Sequence, residues 1–337
     1  MQNTDYTIEN TVETLSQIRE LLSADLHAFD QLIQAELSSS VPLTREIIQH
    51  IFKTKGKQLR PLLVMLAAHA FSADKPMEKK HLALAVVIEF VHTATLLHDD
   101  VVDHSDLRRG QKTANAIWGN AASVLVGDFL YSRAFQILAR HHHIAVMQVL
   151  SETTNAIAEG EVLQLMNQHD ADLSEANYFH VITQKTAKLF SAASKIGAIL
   201  ENADDENQTN MARYGLHLGI TFQMIDDLLD YETSANITGK NIGDDLRDGK
   251  ATFPLIYAMQ NTSLEKSTLI KNAIKNGDAA ALEKILTILK ETDAFTATRK
   301  KAYEHATLAS NALKTMPDSV YRSAMESLIV FAVQRTF

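Results

Sequence analysis

The sequence predicts an all-α protein, and three observations carry that expectation. Apolar residues recur at helical spacing over long stretches. Strand-like alternation is hard to find. Only 12 glycines and 5 prolines interrupt 337 residues, the prolines standing far apart at Pro42, Pro61, Pro76, Pro254 and Pro317.

The helical pattern runs through Ile18–Ile33, Leu62–Ala70, Leu82–Leu97, Ala121–Leu138, Ile144–Leu165, Ala187–Leu200 and Met211–Leu229, and more weakly through the last hundred residues. Polar connectors are expected at Ser38–Leu43, Ser72–Met77, Gly110–Thr113, His169–Ser174, Asn202–Gln208 and Asn236–Lys250. None has the length or composition of a flexible interdomain linker. The expectation is therefore a single domain over residues 1–337, with about 1–43 forming an N-terminal helical region.

Composition narrows the function. A net charge of −9 argues against nucleic acid as a partner, because phosphate binding over a face draws on surplus lysine and arginine. The absence of cysteine removes disulfides, thiolate catalysis and zinc–thiolate sites, so any metal should be a hard one. Met1–Asn10 has neither the basic start nor the apolar stretch of a secretory signal, and a cytoplasmic enzyme is expected. The most apolar run, Leu82–Leu97, contains Glu89 and His92 and reads as a core helix rather than a membrane span.

Two acidic runs echo one another. His98-Asp99-Asp100-Val101-Val102-Asp103 and Ile225-Asp226-Asp227-Leu228-Leu229-Asp230 each close an apolar helical stretch. In a helix the outer carboxylates of such a run lie four residues apart on one face, about one 5.4 Å turn from each other, and can share a cation. Carboxylate oxygens suit magnesium, which keeps waters and completes its octahedron with substrate phosphates. A solvated acidic helix end is the plainer reading of one run. Two runs, each packed against apolar sequence where unpaired carboxylates are costly, favour a metal-diphosphate site. Asp244-Asp245-Leu246-Arg247-Asp248, flanked by Gly243 and Gly249, reads as a loop whose carboxylates orient metal-bound waters.

Basic residues accompany these runs: Lys57 and Arg60 upstream, His92 two helical turns before Asp99 on the same face, and Arg108-Arg109 just after Asp103. Arginine forks and lysine charge together can hold a diphosphate without metal, although each residue alone is equally a surface charge. The triple His141-His142-His143 points in different directions on a helix and reads as a solvated helix end.

Taken in order, Gly56-Lys57-Gln58-Leu59-Arg60-Pro61, the stretch Glu89 to Asp103, Leu107-Arg108-Arg109-Gly110, Lys185-Thr186, Phe222-Gln223-Met224-Ile225-Asp226-Asp227-Leu228-Leu229-Asp230 and Gly239-Lys240-Asn241-Ile242-Gly243-Asp244-Asp245 resemble the trans-polyprenyl diphosphate synthase family. The resemblance runs from about Thr44 onward and includes Ala158 to Leu165. It implies a helical bundle around a central cavity, usually a homodimer, that adds isopentenyl diphosphate units to an allylic diphosphate such as farnesyl diphosphate. It also implies Mg2+ as cofactor, with Asp99, Asp103 and Asp226 as metal ligands. Arg108, Lys185, Thr186, Gln223 and Lys240 then surround the allylic diphosphate, with Lys185, Thr186 and Gln223 acting in catalysis. Lys57, Arg60, His92 and Arg109 form the isopentenyl diphosphate site. Gln58 departs from the family pattern, where a basic residue is frequent, and implies one charge fewer there.

In such an enzyme the allylic carbon–oxygen bond breaks toward a delocalised cation; Phe222 could lend its ring face and the Thr186 carbonyl its dipole. Product length depends on depth beneath the first acidic run. Ala94 and Thr95, about one turn below Asp99, are small where short-chain members carry aromatics, which implies a long product of about eight isoprene units, with nine as the alternative. Leu138 and Leu150 are candidate floor residues. The product would pass to a membrane for ubiquinone side chains. A non-catalytic partner subunit would typically lack one acidic run; a calcium-binding scaffold would leave the basic residues unexplained; a terpene cyclase would not need the isopentenyl diphosphate site.

Overall fold

The computed structural model describes residues 8–53, 55–72, 78–232 and 243–335. Its helices are α1 (Ile8–Leu21), α2 (Ser23–Glu36), α3 (Pro42–Lys53), α4 (Leu59–Phe71), α5 (Lys80–Val102), α6 (Ala114–Trp118), α7 (Asn120–His141), α8 (Ile144–Met166) and α9 (Glu175–Ile182). They continue with α10 (Lys188–Leu200), α11 (Asp205–Glu232), α12 (Asp244–Arg247), α13 (Phe253–Gln260), α14 (Leu264–Asn276), α15 (Leu282–Glu291), α16 (Ala294–Ala312) and α17 (Val320–Gln334). A two-residue antiparallel hairpin, β1 (Leu107–Arg108) with β2 (Gln111–Lys112), is the one sheet among the described residues.

Helix starts follow the local chemistry. Ser174, Ser263 and Ser319 accept backbone N–H groups of the first turns of α9, α14 and α17, and Thr113 does so for α6. Pro254 occupies the first turn of α13, where its missing N–H costs nothing. The apolar runs of α4 and α5 are buried on nearly all sides, so these two helices form the centre. Against them pack α7, α10 and α2, while α11 lies between α10 and α16. A second apolar cluster, built on Ile225, Leu228, Phe253, Leu255 and Ile274, gathers the C-terminal half of α11 with α13 to α16.

Several boundaries differ from the sequence expectation. The run Ile18–Ile33 is two helices, broken at Leu22, whose backbone leaves helical geometry while its side chain stays in the core. Pro42 and Leu43 begin α3 instead of closing a loop, since proline is well suited to a first turn. The expected connector Asn202–Gln208 is already helical from Asp205. Within Asn236–Lys250, the segment read as a loop contains the single turn α12, started by Gly243 in the left-handed region (φ 77°) and held by the Asp245 N–H donating to Asp230 Oδ2 at 3.1 Å. Between α9 and α10 the chain does not break: Thr183–Ala187 forms one wider π-helical turn.

Candidate active site

The C-terminal ends of α5 and α11, the N-terminal end of α4, the π turn, the β1–β2 hairpin and α12 bring the site together. Asp99 and Asp103 stand one turn apart at the end of α5, each met by an ammonium: Lys185 Nζ lies 3.6 Å from Asp99, and Lys250 Nζ lies 3.3 Å from Asp103. Lys185 also binds Glu161 of α8 at 2.7 Å, and Lys250 binds Asp248 at 2.9 Å. The π turn sets this up by carrying Lys185 toward α5 and Thr186 toward α11, where the Thr186 hydroxyl donates to Gln223 Oε1 at 2.9 Å. α8 approaches closely because Gly160 has no side chain; a Cβ there would stand 2.7 Å from the Lys185 backbone nitrogen.

Asp100 turns away from this group. It is buried, accepts from Arg108 Nε at 2.8 Å, and thereby fastens the β1–β2 hairpin to α5. Asp227 is likewise inward, accepting from the Tyr178 hydroxyl at 2.6 Å and from Gln223 Nε2 at 2.7 Å. Asp226 keeps half its side chain exposed and is bonded by Arg335 at 3.1 Å. Of the two acidic runs, the structure thus presents Asp99, Asp103 and Asp226 to the cleft, while Asp100 and Asp227 serve as anchors. Asp230 holds α12.

The carboxylates are in excess. Burial, with Asp99 and Asp103 nearby, pushes Glu161 up to about 7 against the pull of Lys185. Burial and Asp245 push Asp227 to about 7. Burial lowers Lys250, but Asp245, Asp103 and Asp248 outweigh it and raise the ammonium well above its ordinary range. A group short of positive charge, with paired partly exposed carboxylates one turn apart, fits hard divalent cations that take their remaining ligands from phosphate and water.

Beside it lies the opposite imbalance. A cavity of about 90 Å³ opens between α3, α5 and the hairpin, lined by Gly56, Glu89, His92, Thr93, Arg108 and Arg109. Arg60 donates to His92 Nε2 at 3.1 Å and lies over the Phe190 ring at 4.4 Å. A Cβ on Gly56 would stand inside the Arg109 guanidinium, so only glycine lets that arginine lie across the loop. Burial, then the neighbouring Arg335 and Arg109 charges, lower Lys57 to about 8. Burial and Arg109 bring Arg60 to about 10, although Glu89 opposes them. Burial drives His92 well below its ordinary value, and Arg60, Arg109 and Arg108 add to this, so its ring is neutral and accepts the Arg60 hydrogen bond. The buried Arg60 Nε has no hydrogen-bond partner. Crowded cations make this pocket a receptor for a polyanion such as diphosphate.

The structure therefore gathers Lys57, Arg60, His92 and Arg109 on one side, and Asp99, Asp103, Lys185, Thr186, Gln223 and Asp226 on the other. Arg108, expected at the allylic diphosphate, pairs with Asp100 through Nε and Nη2 and also lines the cation-rich cavity. Lys240 lies outside the described residues. Gln58 stands at the wall of this cavity, a neutral and largely buried side chain whose Oε1 accepts from Arg19 of α1 at 3.2 Å. One face of Phe222 is covered by the Arg335 guanidinium at 3.7 Å, and the Phe190 ring packs beside it with centroids 5.6 Å apart. Ala94 is fully buried, Thr95 bonds back to the His92 carbonyl at 2.7 Å, and Leu138 and Leu150 are core leucines. His141-His142-His143 is a helix end, with His142 in the left-handed region.

Two residues escaped the sequence reading. Arg335, 2% exposed, reaches from the last turn of the chain to join both halves, bonding Asp226 and the Phe222 carbonyl and standing close enough to Lys57 to lower it. Lys250, marked in the sequence only as one of two lysines bracketing the glycine-containing loop and given no role, touches Asp103 directly. A lone arginine after an apolar helix carries no spacing signal; Lys250, next to three aspartates in a glycine-flanked run, carried a weak one.

Known proteins match this chain in sequence and in fold. The family model for polyprenyl synthetase covers residues 41–291. The octaprenyl diphosphate synthase of Escherichia coli (strain K12) is 45% identical over 322 residues, 95% of this chain and 99% of its own. An all-trans-nonaprenyl-diphosphate synthase (geranyl-diphosphate specific) of Rhodobacter capsulatus is 43% identical over 314 residues, 93% of this chain and 96% of its own. The crystal structure of polyprenyl synthase from Caulobacter crescentus CB15, complexed with calcium and isoprenyl diphosphate, superposes with a TM-score of 0.91 at 40% identity, covering 96% of this chain and 98% of that one.

Proposed function

Since this chain belongs to the polyprenyl synthetase family, we propose that it is a Mg2+-dependent octaprenyl diphosphate synthase, extending an allylic diphosphate, farnesyl diphosphate by preference, with isopentenyl diphosphate. One observation carries the reading: a carboxylate-rich group and a cation-rich pocket stand side by side at one end of the bundle, as a reaction between a metal-bound and a metal-free diphosphate requires.

Asp99, Asp103 and Asp226 would hold magnesium, which when bound supplies positive charge to the departing diphosphate of the allylic substrate. Lys185 and Lys250 add charge from the same side, and Thr186 and Gln223 orient each other beside it. Lys57, Arg60 and Arg109 bind the diphosphate of isopentenyl diphosphate, with neutral His92 fixing Arg60. The carbon–oxygen bond of the allylic substrate breaks, the double bond of isopentenyl diphosphate attacks the cation, and a proton leaves to the released diphosphate. No side-chain base is required. Phe222 and Phe190, with ring centroids 5.6 Å apart, exclude water from the cation.

The E. coli relative and the small residues Ala94 and Thr95 favour eight isoprene units; a nine-unit product is the alternative, on the strength of the R. capsulatus relative. The chain is read as one domain working as a homodimer in the cytoplasm, its product passing to the membrane for ubiquinone side chains. Exposed Leu125, Val162, Leu165 and Met166 on α7 and α8 support a subunit interface. α5, the one described helix long and apolar enough to cross a bilayer, is packed inside the bundle. Incubation with allylic primers of different length, isopentenyl diphosphate and Mg2+, followed by chromatography of the dephosphorylated products, tests primer and product together. Predominance of a C40 alcohol supports the proposal, and C45 selects the alternative.

A further inference from the structure

At the end of the bundle opposite the active site, three side chains from separate helices meet. Asp25 of α2 shares one oxygen, Oδ2, between His69 Nε2 of α4 at 2.5 Å and His81 Nε2 of α5 at 3.3 Å. Their donor atoms all lie within 4.8 Å of one another, and among the described residues no other group of three potential metal ligands is so gathered. The cluster belongs to neither diphosphate pocket: His81 precedes Asp99 by 18 residues on one helix, a distance of about 27 Å.

The hydrogen bonds of His81 decide what the cluster needs. Its Nδ1 faces the Glu78 carbonyl at 3.2 Å, and a carbonyl can only accept, so Nδ1 carries the proton. Its other ring nitrogen, Nε2, faces the Asp25 carboxylate oxygen at 3.3 Å and is the atom placed to act as a metal ligand. An Nδ1–H to carbonyl bond of this kind is the usual outer support of a metal-bound histidine. His69 is held from the other side by stacking on Tyr321, ring centroids 4.6 Å apart.

We propose that Asp25, His69 and His81 form a structural site for a divalent transition metal, zinc being the cellular candidate. Two imidazoles and one carboxylate are a zinc donor set, and His69 and Asp25, each about one-fifth exposed, leave room for water as a fourth ligand. The 3.3 Å His81–Asp25 separation is already an edge of a tetrahedron with bonds of about 2.0–2.1 Å, whereas the His69–Asp25 pair must open by roughly 1 Å. Bound metal would tie α2 to α4 and α5, the helices whose other ends carry Lys57, Arg60 and Asp99.

The test uses untagged, chelator-treated full-length protein in the Asp99→Asn, Asp103→Asn, Asp226→Asn background, which disables the diphosphate-side carboxylates. Titration with Zn2+ and with Co2+ as a spectroscopic stand-in should show one tight equivalent, a tetrahedral cobalt spectrum and a raised melting temperature. His81→Ala and His69→Gln should each weaken binding by at least about 10–100-fold, while His142→Ala should leave it intact. Should His81→Ala fail to fold, Asp25→Asn carries the same expectation. Absence of a tight equivalent, or a cobalt signal that follows His142 instead of His81, would overturn the proposal and leave the cluster as a proton-held imidazole–carboxylate network.

Discussion

Arg335→Gln probes the contact that joins the two halves of the site. The guanidinium is 2% exposed, donates to Asp226 Oδ1 at 3.1 Å and to the Phe222 carbonyl at 2.6 Å, and lies 3.7 Å from the Phe222 ring centroid. The charged hydrogen bond to the carbonyl contributes about 1.5–3 kcal/mol, and the desolvated cation–π contact about 2 kcal/mol. The ion pair adds no more than about 1 kcal/mol, because the Asp226 side chain is 47% exposed and solvent screens it. Burying a guanidinium costs several kcal/mol, which the neutral variant recovers. The expected net loss is about 2 kcal/mol of unfolding free energy, measured by chemical denaturation. A second readout is independent of stability. Arg335 is among the charges that hold Lys57 near 8, so its removal should move the alkaline limb of kcat/KM for isopentenyl diphosphate upward while KM rises from the lost charge. Wild-type stability together with an unmoved limb would refute the assignment of Arg335 to this pocket.

In the unaltered enzyme, isopentenyl diphosphate binding needs the Lys57 ammonium, which is present below its lowered value and lost above it, so kcat/KM should fall as pH rises through about 8. Lys57→Arg should push that fall beyond pH 10, seen in steady-state pH profiles. Asp99→Asn and Asp103→Asn should each cut kcat by about 100-fold or more and raise the Mg2+ concentration for half activity, read by Mg2+ titration of label incorporation. Ala94→Phe, about 7.5 Å below Asp99 along α5, should shorten the product if the tail runs past it; as Ala94 is fully buried, a melting curve must accompany the product analysis, since plain overpacking costs about 1–3 kcal/mol without changing chain length. Arg19→Ala should loosen the loop carrying Lys57 and Gln58 and raise KM for isopentenyl diphosphate severalfold, with little change in kcat.

The helices that bear the chemistry were legible because their signals are local. The period of α5 and α11 is written in consecutive apolar residues, and the carboxylates four apart follow from helix geometry alone. What the sequence could not disclose depends on partners distant along the chain. Asp100 and Asp99 are adjacent and chemically identical, yet one is spent on Arg108 and the other faces the cleft. Gln58 is held at the pocket wall by Arg19, 39 residues earlier, a contact that no local spacing signals. Arg335 meets Asp226 across 109 residues. The π turn at Thr183–Ala187 lies inside a stretch of ordinary helical composition, so its register shift comes from packing against Gly160 and α11 rather than from any breaker residue.

The most direct test of the account is polymerisation itself: purified protein, farnesyl diphosphate, labelled isopentenyl diphosphate and Mg2+, with chain length read after phosphatase treatment. The account predicts a C40 polyprenol whose formation stops with chelator and with Asp99→Asn. Failure of folded, metal-supplied protein to incorporate isopentenyl diphosphate would contradict it and point to a non-catalytic partner subunit.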